Sequence, residues 1–141
     1  MIKKFRSSCI IASALDVIGD KWTLLIIRDM LLQKKKTYKE MVGSDEGIAT
    51  NLLSTRLKML ESIDVITKRK LPKNKKENIY LLTEKGIDLA PLILEIVIWS
   101  DKHVRIYNGN MNLYENGEIS KAVFIERTQS EYRQFANQVI N

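Results

Sequence analysis

Residues 38–66, which run YKEMVGSDEGIATNLLSTRLKMLESIDVI, decide the fold of this chain. Their first five residues predict a short helix, because Thr37 and Glu40 have the spacing of a capping box at a helix start. Two glycines and an aspartate within residues 43–47 then favour a turn, since these residue types adopt turn conformations at little steric cost. Two helices joined by a tight turn are therefore predicted, with the second beginning near Ala49.

The second helix carries an apolar stripe on one side and a polar surface on the other. Leu53, Leu57 and Leu60 recur at helical spacing within residues 49–62, which predicts that they are buried. The other side carries amide and hydroxyl groups with one lysine and no carboxylate: Thr50, Asn51, Ser54, Thr55, Lys58 and Ser62. Such a surface suits DNA base edges and phosphates. An ordinary solvated helix face is the alternative interpretation.

A cationic β-hairpin is predicted directly after the second helix. Residues 65–71 and 79–83 have strand character, and residues 72–76 predict the turn between them. A single acid, Glu77, accompanies six cations: Lys68, Arg69, Lys70, Lys73, Lys75 and Lys76. Crowded cations repel one another unless a polyanion neutralises them, so the hairpin is interpreted as a wing that binds nucleic-acid phosphates; a solvated lysine loop is the alternative. The wing residues expected to bind DNA are Lys68, Lys73, Lys75 and Lys76.

The positive charge of the chain is concentrated in its first three quarters. The 141 residues include 23 basic and 17 acidic side chains, which gives a net charge of +6. Up to Arg105 there are 20 basic against 13 acidic residues, and from Ile106 onward there are 3 against 4. Length and charge together predict one domain, or one domain with an extension, with the basic character in the first part of the chain.

Several classes of protein are disfavoured by what the sequence lacks. The single cysteine, Cys9, excludes an intrachain disulfide and a multi-thiolate metal site, and it favours a reducing cytoplasm. The solitary His103 has no catalytic or ligand partner in the sequence, so no metal, cofactor or enzyme active site is predicted. The most apolar run, Leu89–Trp99, contains Glu95 and is far shorter than the roughly 20 residues that span a bilayer. No membrane passage is therefore predicted.

Two helices are predicted ahead of the helix-turn-helix. The first covers Cys9–Ile18 and ends at Gly19. The second covers Lys21–Leu32, with Asp20 placed to cap it, and nearly all of its faces are apolar. It is therefore expected to lie centrally, with three residues in the core: Trp22, Leu25 and Ile26.

Two helical segments are also predicted after the hairpin. Thr83 is expected to cap the first, and Pro91, which lacks a backbone donor, to separate it from a second that runs to about Ile106. Apolar residues cover more of that second helix than one domain of this size can bury. A homodimer with a symmetric helical interface is therefore predicted. The residues expected at the interface are Ile11, Leu15, Leu92, Ile96 and Trp99.

The C-terminal segment gives weaker patterns. Asn116 and Gly117 are typical of a small hairpin turn. Thr128 and Glu131 have the spacing of a second capping box, which predicts that a short amphipathic helix begins there. Its apolar stripe is expected to pack within the chain, with an extension of the dimer interface as the alternative.

Several segments carry a pattern in combination that none of them carries alone. They are Cys9 with residues 14–29 (ALDVIGDKWTLLIIRD), residues 50–61, residues 80–83 followed by Gly86, Pro91, and Trp99. Over residues 9–107 the combination resembles the HxlR-type winged-helix transcription regulators, relatives of the MarR group. Ile10 departs from the usual proline of that family, Ala49 from a common serine, and Asp64 from glycine. Thr50 is expected to shift the helix cap by one residue, and Asp64 to tolerate left-handed backbone geometry.

The resemblance implies a winged helix-turn-helix fold, mainly α-helical with a small β-hairpin, dimerised through its N- and C-terminal helices. It implies a DNA-binding domain over residues 9–107 that includes the dimerisation helices, and it leaves residues 108–141 as a C-terminal extension. It also implies a cytoplasmic transcription regulator that binds operator DNA. In some members of that family the cysteine at the position of Cys9 senses oxidants or electrophiles. Lys3, Lys4 and Arg6 would favour its thiolate if the side chain is accessible. A small buried apolar role for Cys9 is the alternative.

Residues and resemblance together predict a homodimeric repressor of a pseudo-palindromic operator. Its two reading helices would occupy successive major grooves, about 34 Å apart. Asn51, Ser54 and Thr55 are expected to contact base edges, while Lys58 contacts phosphate. The expected partners are double-stranded DNA, a second copy of the chain, and a small-molecule or electrophile effector. A winged-helix module that binds an acidic protein through its wing is the alternative.

Overall fold

The computed structural model describes residues 4–105 and 120–141, and within them the chain is mainly α-helical with one two-stranded antiparallel sheet. The predicted fold class, a winged helix-turn-helix, is confirmed. The elements in chain order are α1 (Ile10–Ile18), α2 (Thr23–Gln33), α3 (Tyr38–Val42), α4 (Thr50–Ser62), β1 (Ile66–Leu71), β2 (Asn74–Leu82), α5 (Glu84–Ile87), α6 (Ala90–His103) and α7 (Lys121–Ile140).

Helix α2 lies centrally, as predicted. Asp20 accepts hydrogen bonds from the backbone N–H groups of Trp22 and Thr23, both at 2.9 Å, so its carboxylate satisfies the first free donors and the helix begins at Thr23 rather than at Lys21. Ile26 is buried as predicted, whereas Trp22 and Leu25 are only half-buried. The buried side of α2 includes Ile27, Met30 and Leu31, in one cluster with the leucine stripe Leu53, Leu57 and Leu60 of α4.

The predicted capping box is present at the start of α3. Thr37 Oγ1 accepts the backbone N–H of Glu40, and the Glu40 carboxylate accepts the backbone N–H of Thr37. The expected shift of the cap of α4 to Thr50 is wrong. Ala49 is the N-cap residue and supplies no side-chain hydrogen bond, while Thr50 is already the first helical residue. Its backbone carbonyl is instead bonded from outside the helix, by Tyr38.

The hairpin turn is tighter than predicted. Strand β2 begins at Asn74, so Lys75 and Lys76 lie on the strand rather than in the turn, which consists of Pro72 and Lys73. The strand register shifts between Lys70, which pairs with Asn78, and Leu71, which pairs with Asn74. Residues 75–77 of β2 therefore bulge out of the ladder without cross-strand partners. A proline with φ already fixed suits the first position of such a turn. Lys75 and Lys76 therefore lie at the irregular, exposed end of the hairpin.

Two positions around the wing depend on special backbone geometry. Asp64 has φ 63°, the left-handed conformation that the sequence predicted it would tolerate, and its carbonyl accepts a hydrogen bond from Thr83 Oγ1 at 2.6 Å. Gly86 packs against β1, where an added Cβ would lie 2.5 Å from the carbonyl oxygen of Val65. Such close approach admits only glycine without a backbone shift. These two residues fix how the chain enters and leaves the hairpin.

Pro91 marks a helix boundary, as predicted, because α5 ends at Ile87 and α6 starts at Ala90. The prediction for the last helix is wrong: α7 starts at Lys121, capped by Ser120 Oγ, which accepts the N–H of Val123 at 3.3 Å. The Thr128–Glu131 pair lies inside this helix. Their backbone N–H groups already have partners one turn earlier, so the capping spacing has no structural role there. The predicted hairpin at Asn116 and Gly117 lies outside the described residues.

The apolar stripe of α7 packs within the chain, as expected. Tyr132 is fully buried, and its hydroxyl accepts the backbone N–H of Leu82 at 2.8 Å. This donor lies on the edge of β2 that faces away from β1. Further along the same edge the N–H of Tyr80 donates to the carbonyl of Lys36 at 2.7 Å. Because both edge donors have partners, β2 is protected from pairing with another strand here.

Candidate nucleic-acid interface

The exposed side of α4 presents the polar residues that the sequence predicted. Asn51, Thr55 and Lys58 are exposed, as is Thr50 at the start of the helix, whereas Ser54 is half-buried. Leu53 and Leu60 on the opposite side are fully buried, so the orientation of the helix about its axis is fixed by the core. Glu61 is also exposed, which limits the acid-free surface to residues 50–58.

Thr55 is partly committed to the helix itself. Its Oγ1 donates to the backbone carbonyl of Asn51 at 2.9 Å, one turn earlier. This bond holds the hydroxyl against the helix, leaving its oxygen lone pairs as acceptors and its methyl group exposed. A methyl group can contact the thymine methyl in a major groove, while the free amide of Asn51 can pair bidentately with adenine. The two side chains lie one turn apart on the same surface.

Tyr38 has a structural role that the sequence reasoning missed. Its hydroxyl donates to the carbonyl oxygen of Thr50 at 2.8 Å and lies 3.1 Å from Ser54 Oγ. It thereby ties the first residue of α3 to the first turn of α4 and fixes the angle between the two helices. Ser54 is consequently a partner of Tyr38 as well as a candidate for base contact. The only signal in the sequence was an aromatic residue beside the capping box.

A second anchor joins α4 to the start of α2. Arg56 Nε lies 3.3 Å from Asp20 Oδ1, so this arginine links the two helices. Burial alone would raise the pKa of Asp20, but hydrogen bonds from Thr23 and Trp22 and the charge of Arg56 outweigh it and lower the pKa. Asp20 therefore remains ionised near neutral pH and serves both helices.

A buried charge network supports the turn between α3 and α4. Arg28 donates to both carboxylate oxygens of Glu46, at 2.8 and 3.0 Å, and also to Asp29 on its own helix. Ser44 donates to Asp29 as well, and Lys35 Nζ lies 2.8 Å from Ser44 Oγ and 3.4 Å from the Asp29 carboxylate. The hydrogen bonds from Arg28 lower the pKa of Glu46. Lys35 is thus an internal partner of Asp29 and Ser44 in this network.

The wing carries the predicted cations in exposed positions. Lys68, Lys73, Lys75 and Lys76 are all exposed, and none of them has an ion-pair partner among the described residues. Side chains alternate along a strand, so Lys68 and Lys70 lie on one face of β1 and Arg69 on the other. Arg69 accordingly faces α7, where it lines a groove with Arg133 and Ala136.

A separate apolar surface lies on α1 and α6. The five residues predicted at a dimer interface are all exposed in the single chain, from 38% for Leu92 to 73% for Ile11. Trp99 is 62% exposed and contacts His103, with 5.4 Å between the ring centroids and an angle of 49° between the ring planes. These large apolar groups have no covering element in the described part of the chain. Isolated exposed leucines are ordinary, but several large apolar groups exposed on each of two helices indicate an interaction surface.

Cys9 is exposed and immediately precedes α1. The alternative, a small apolar residue buried in the dimer helix, is not tested by the single chain and stays a prediction. Arg6, one of the cations expected to favour the thiolate, is paired with Asp16, and Lys3 lies outside the described residues. Lys4 is exposed. The exposed thiol lies beside the apolar surface of α1, where the neighbouring Ile10 is 85% exposed.

Two packed helices with an outward polar face, followed by a cationic hairpin, define a winged helix-turn-helix protein. The family described as HxlR-like helix-turn-helix matches residues 17–107, and the chain belongs to this family. It is a helix-turn-helix transcriptional regulator rather than an enzyme. No helix in the described residues is long and apolar enough to cross a membrane.

The relatives include regulators with redox chemistry. The transcriptional regulator YodB of Bacillus subtilis (strain 168) is 34% identical over 90 residues, which cover 64% of this chain and 80% of YodB. The crystal structure of reduced YodB has a TM-score of 0.58 at 30% identity and covers 72% of this chain and 100% of that chain. YodB has also been solved quinone-bound and diamide-treated. The oxidised redox regulator HypR has a TM-score of 0.58 at 27% identity and covers 67% of this chain and 97% of HypR.

Proposed function

We propose that the chain is a homodimeric repressor that binds a pseudo-palindromic operator through α4 and the wing. The observation that carries this proposal is the exposed Asn51–Thr55–Lys58 surface, held outward by a leucine stripe and flanked by unpaired wing lysines. The amide of Asn51 and the hydroxyl and methyl groups of Thr55 match base edges, and the ammonium of Lys58 matches phosphate. The operator is first selected from random duplexes by binding to the protein. Repression is then tested with a reporter gene whose promoter carries this operator: we expect expression of the reporter to rise when the protein is removed.

The exposed apolar surface of α1 and α6 supports the homodimer. A symmetric contact would bury Ile11, Leu15, Ile96 and Trp99 of both copies. Two copies related by a twofold axis present two reading helices, and half-sites about 34 Å apart correspond to one turn of B-DNA. The operator is then two inverted half-sites, with the wings on the flanking backbone.

Asn51→Ala is expected to relax sequence preference, because it removes the bidentate contact but leaves the phosphate contacts in place. The loss should be about 1–3 kcal/mol for each half-site at the operator and close to zero on an unrelated duplex. Operator and shuffled duplexes are compared by fluorescence anisotropy. Gln134→Ala, an amide truncation at an exposed position of α7, is the control and should leave both affinities unchanged.

Lys75→Ala is expected to weaken every duplex alike. Each lost phosphate contact reduces the slope of log affinity against log salt by about 0.9 in magnitude. Anisotropy titrations at several salt concentrations measure this slope. A Lys75→Ala variant that changes the preferred operator while keeping the parental slope would exclude phosphate binding by this residue.

We further propose that oxidants or electrophiles at Cys9 release the protein from DNA. The thiolate can add to a ring C=C bond of a quinone: one C–S bond forms, the C=C π bond opens, and the quinone takes up protons to become a hydroquinone thioether. Alternatively, two Cys9 thiols of a dimer can join as a disulfide while diamide accepts their two electrons and two protons. The exposure of Cys9 beside the apolar surface of α1 supports both routes, as do the quinone-bound and diamide-treated forms of YodB.

Cys9→Ser is expected to remain bound to the operator in the presence of diamide or a quinone, while the parent loses affinity. Anisotropy with each reagent measures the response, and intact mass spectrometry identifies the adduct or the linked dimer. Ser8→Ala, at another exposed position in the same segment, should respond like the parent. A Cys9→Ser variant that responds to diamide as the parent does would end the sensor proposal.

A further inference from the structure

A groove separates the wing from the C-terminal half of α7. Its volume is about 410 Å³. Thr67 and Arg69 of β1 line one wall, and Arg133 and Asn137 of α7 line the other. The floor is apolar and is made by Leu81, Leu82, Ile87, Ala136 and Ile140. Grooves of about 300–1,000 Å³ with apolar floors and a few polar groups are typical of small-molecule sites.

The groove carries one uncompensated positive charge. Arg133 and Glu84 cancel each other, because Arg133 Nη2 and Nε donate to the Glu84 carboxylate at 2.8 and 3.1 Å. Arg69 has no ion-pair partner among the described residues. A guanidinium beside an apolar floor favours a planar anion, since it can donate two parallel hydrogen bonds to a carboxylate.

We propose that this groove binds an organic monoanion with an apolar, aromatic-sized body. Its carboxylate pairs with Arg69 and its body lies on Ile87, Ala136 and Ile140. The groove is distinct from the surface on α4 and from Cys9, and it is formed in part by α7, which lies beyond the residues that match the family.

Occupation of the groove would lower DNA affinity. The anion neutralises Arg69 on β1, the strand that also presents Lys68 and Lys70. One positive charge fewer on the wing weakens its attraction for phosphate. This consequence rests on the proposed function, whereas binding of the anion to the free protein does not.

The first experiment measures binding to the full chain without DNA, with 2-naphthoate as the probe and 2-naphthamide as its uncharged analogue. Isothermal titration should detect 2-naphthoate at one site per chain and at least tenfold weaker binding of the amide. Arg69→Gln should lose at least tenfold in affinity. Lys70→Gln removes the same charge from the neighbouring residue on the other face of β1 and should bind 2-naphthoate as the parent does.

Equal loss in Arg69→Gln and Lys70→Gln would overturn the proposal, because it would mean diffuse attraction to the wing rather than a site. Equal binding of acid and amide, or no binding of 2-naphthoate, would overturn it as well. The second experiment adds 2-naphthoate to the operator complex, where the parent should release DNA and Arg69→Gln should not. If the chain binds 2-naphthoate but no DNA under any condition, the proposed function fails while the groove proposal stands.

Discussion

Tyr132→Ala is expected to destabilise the folded chain by about 3–5 kcal/mol, the cost of removing a large buried aromatic side chain. Tyr132 is fully buried where α7 meets the hairpin, and its ring lies 5.8 Å from that of Phe135. The variant leaves a cavity and also strips the backbone N–H of Leu82 of its acceptor. Since this N–H belongs to the strand that carries the wing, both the core and the wing should loosen.

Chemical denaturation of the parent and variant measures the free energy of unfolding. Tyr132→Phe separates the two causes, because it keeps the ring and removes only the hydroxyl; we expect it to cost about 1–3 kcal/mol for the unpaired N–H. Burial raises the pKa of Tyr132 to about 12, so the neutral hydroxyl is present throughout the physiological range. Gln134→Ala, two residues away and exposed, should stay within about 0.5 kcal/mol of the parent. A Tyr132→Ala variant as stable as Gln134→Ala would mean that α7 does not pack as described.

Ile96→Glu is expected to abolish high-affinity operator binding by separating the two subunits. Ile96 is 46% exposed in the single chain, so a glutamate there is solvated and leaves the protomer folded. In the proposed dimer the same glutamate would be buried against apolar groups, at a cost that a symmetric interface incurs twice. Loss of the second binding module lowers avidity by about 10²- to 10⁴-fold without changing any contact of the first.

Analytical ultracentrifugation and operator anisotropy on the same samples measure this effect. Ser130→Glu, which adds the same charge at an exposed position of α7, serves as the control and should sediment and bind as the parent does. A dimeric Ile96→Glu variant with parental affinity would place the subunit contact elsewhere. A monomeric variant that keeps full operator affinity would show that dimerisation is not needed for DNA binding.

The helix-turn-helix itself was predictable because its signals are local. The capping box at Thr37 and the leucine stripe of α4 depend on residues three or four positions apart, and both are confirmed. The family resemblance and the class of protein are confirmed as well. The left-handed backbone at Asp64 was equally predictable, since it replaces a glycine at the end of a helix.

The features that the sequence did not predict depend on partners distant in the chain. Tyr38 acts on residues twelve and sixteen positions later, and Tyr132 on a strand fifty positions earlier. No local periodicity encodes such contacts. The spacing of Thr128 and Glu131 was misleading because the same spacing also occurs inside a helix, where the backbone N–H groups are already hydrogen-bonded. The contact of Lys35 with the buried Asp29 is of the same kind, because the two side chains face the same turn only after folding.

The role of α4 as the reading helix is tested most directly by photocrosslinking from its exposed face. A benzoylphenylalanine in place of Thr55 should crosslink to bases of the operator in two segments about one helical turn apart, one for each subunit. The same group in place of Gln134 on α7 should give no crosslinks to bases. Two symmetric segments from position 55 are the result that this account predicts. Crosslinks from position 134 with none from position 55 would contradict it.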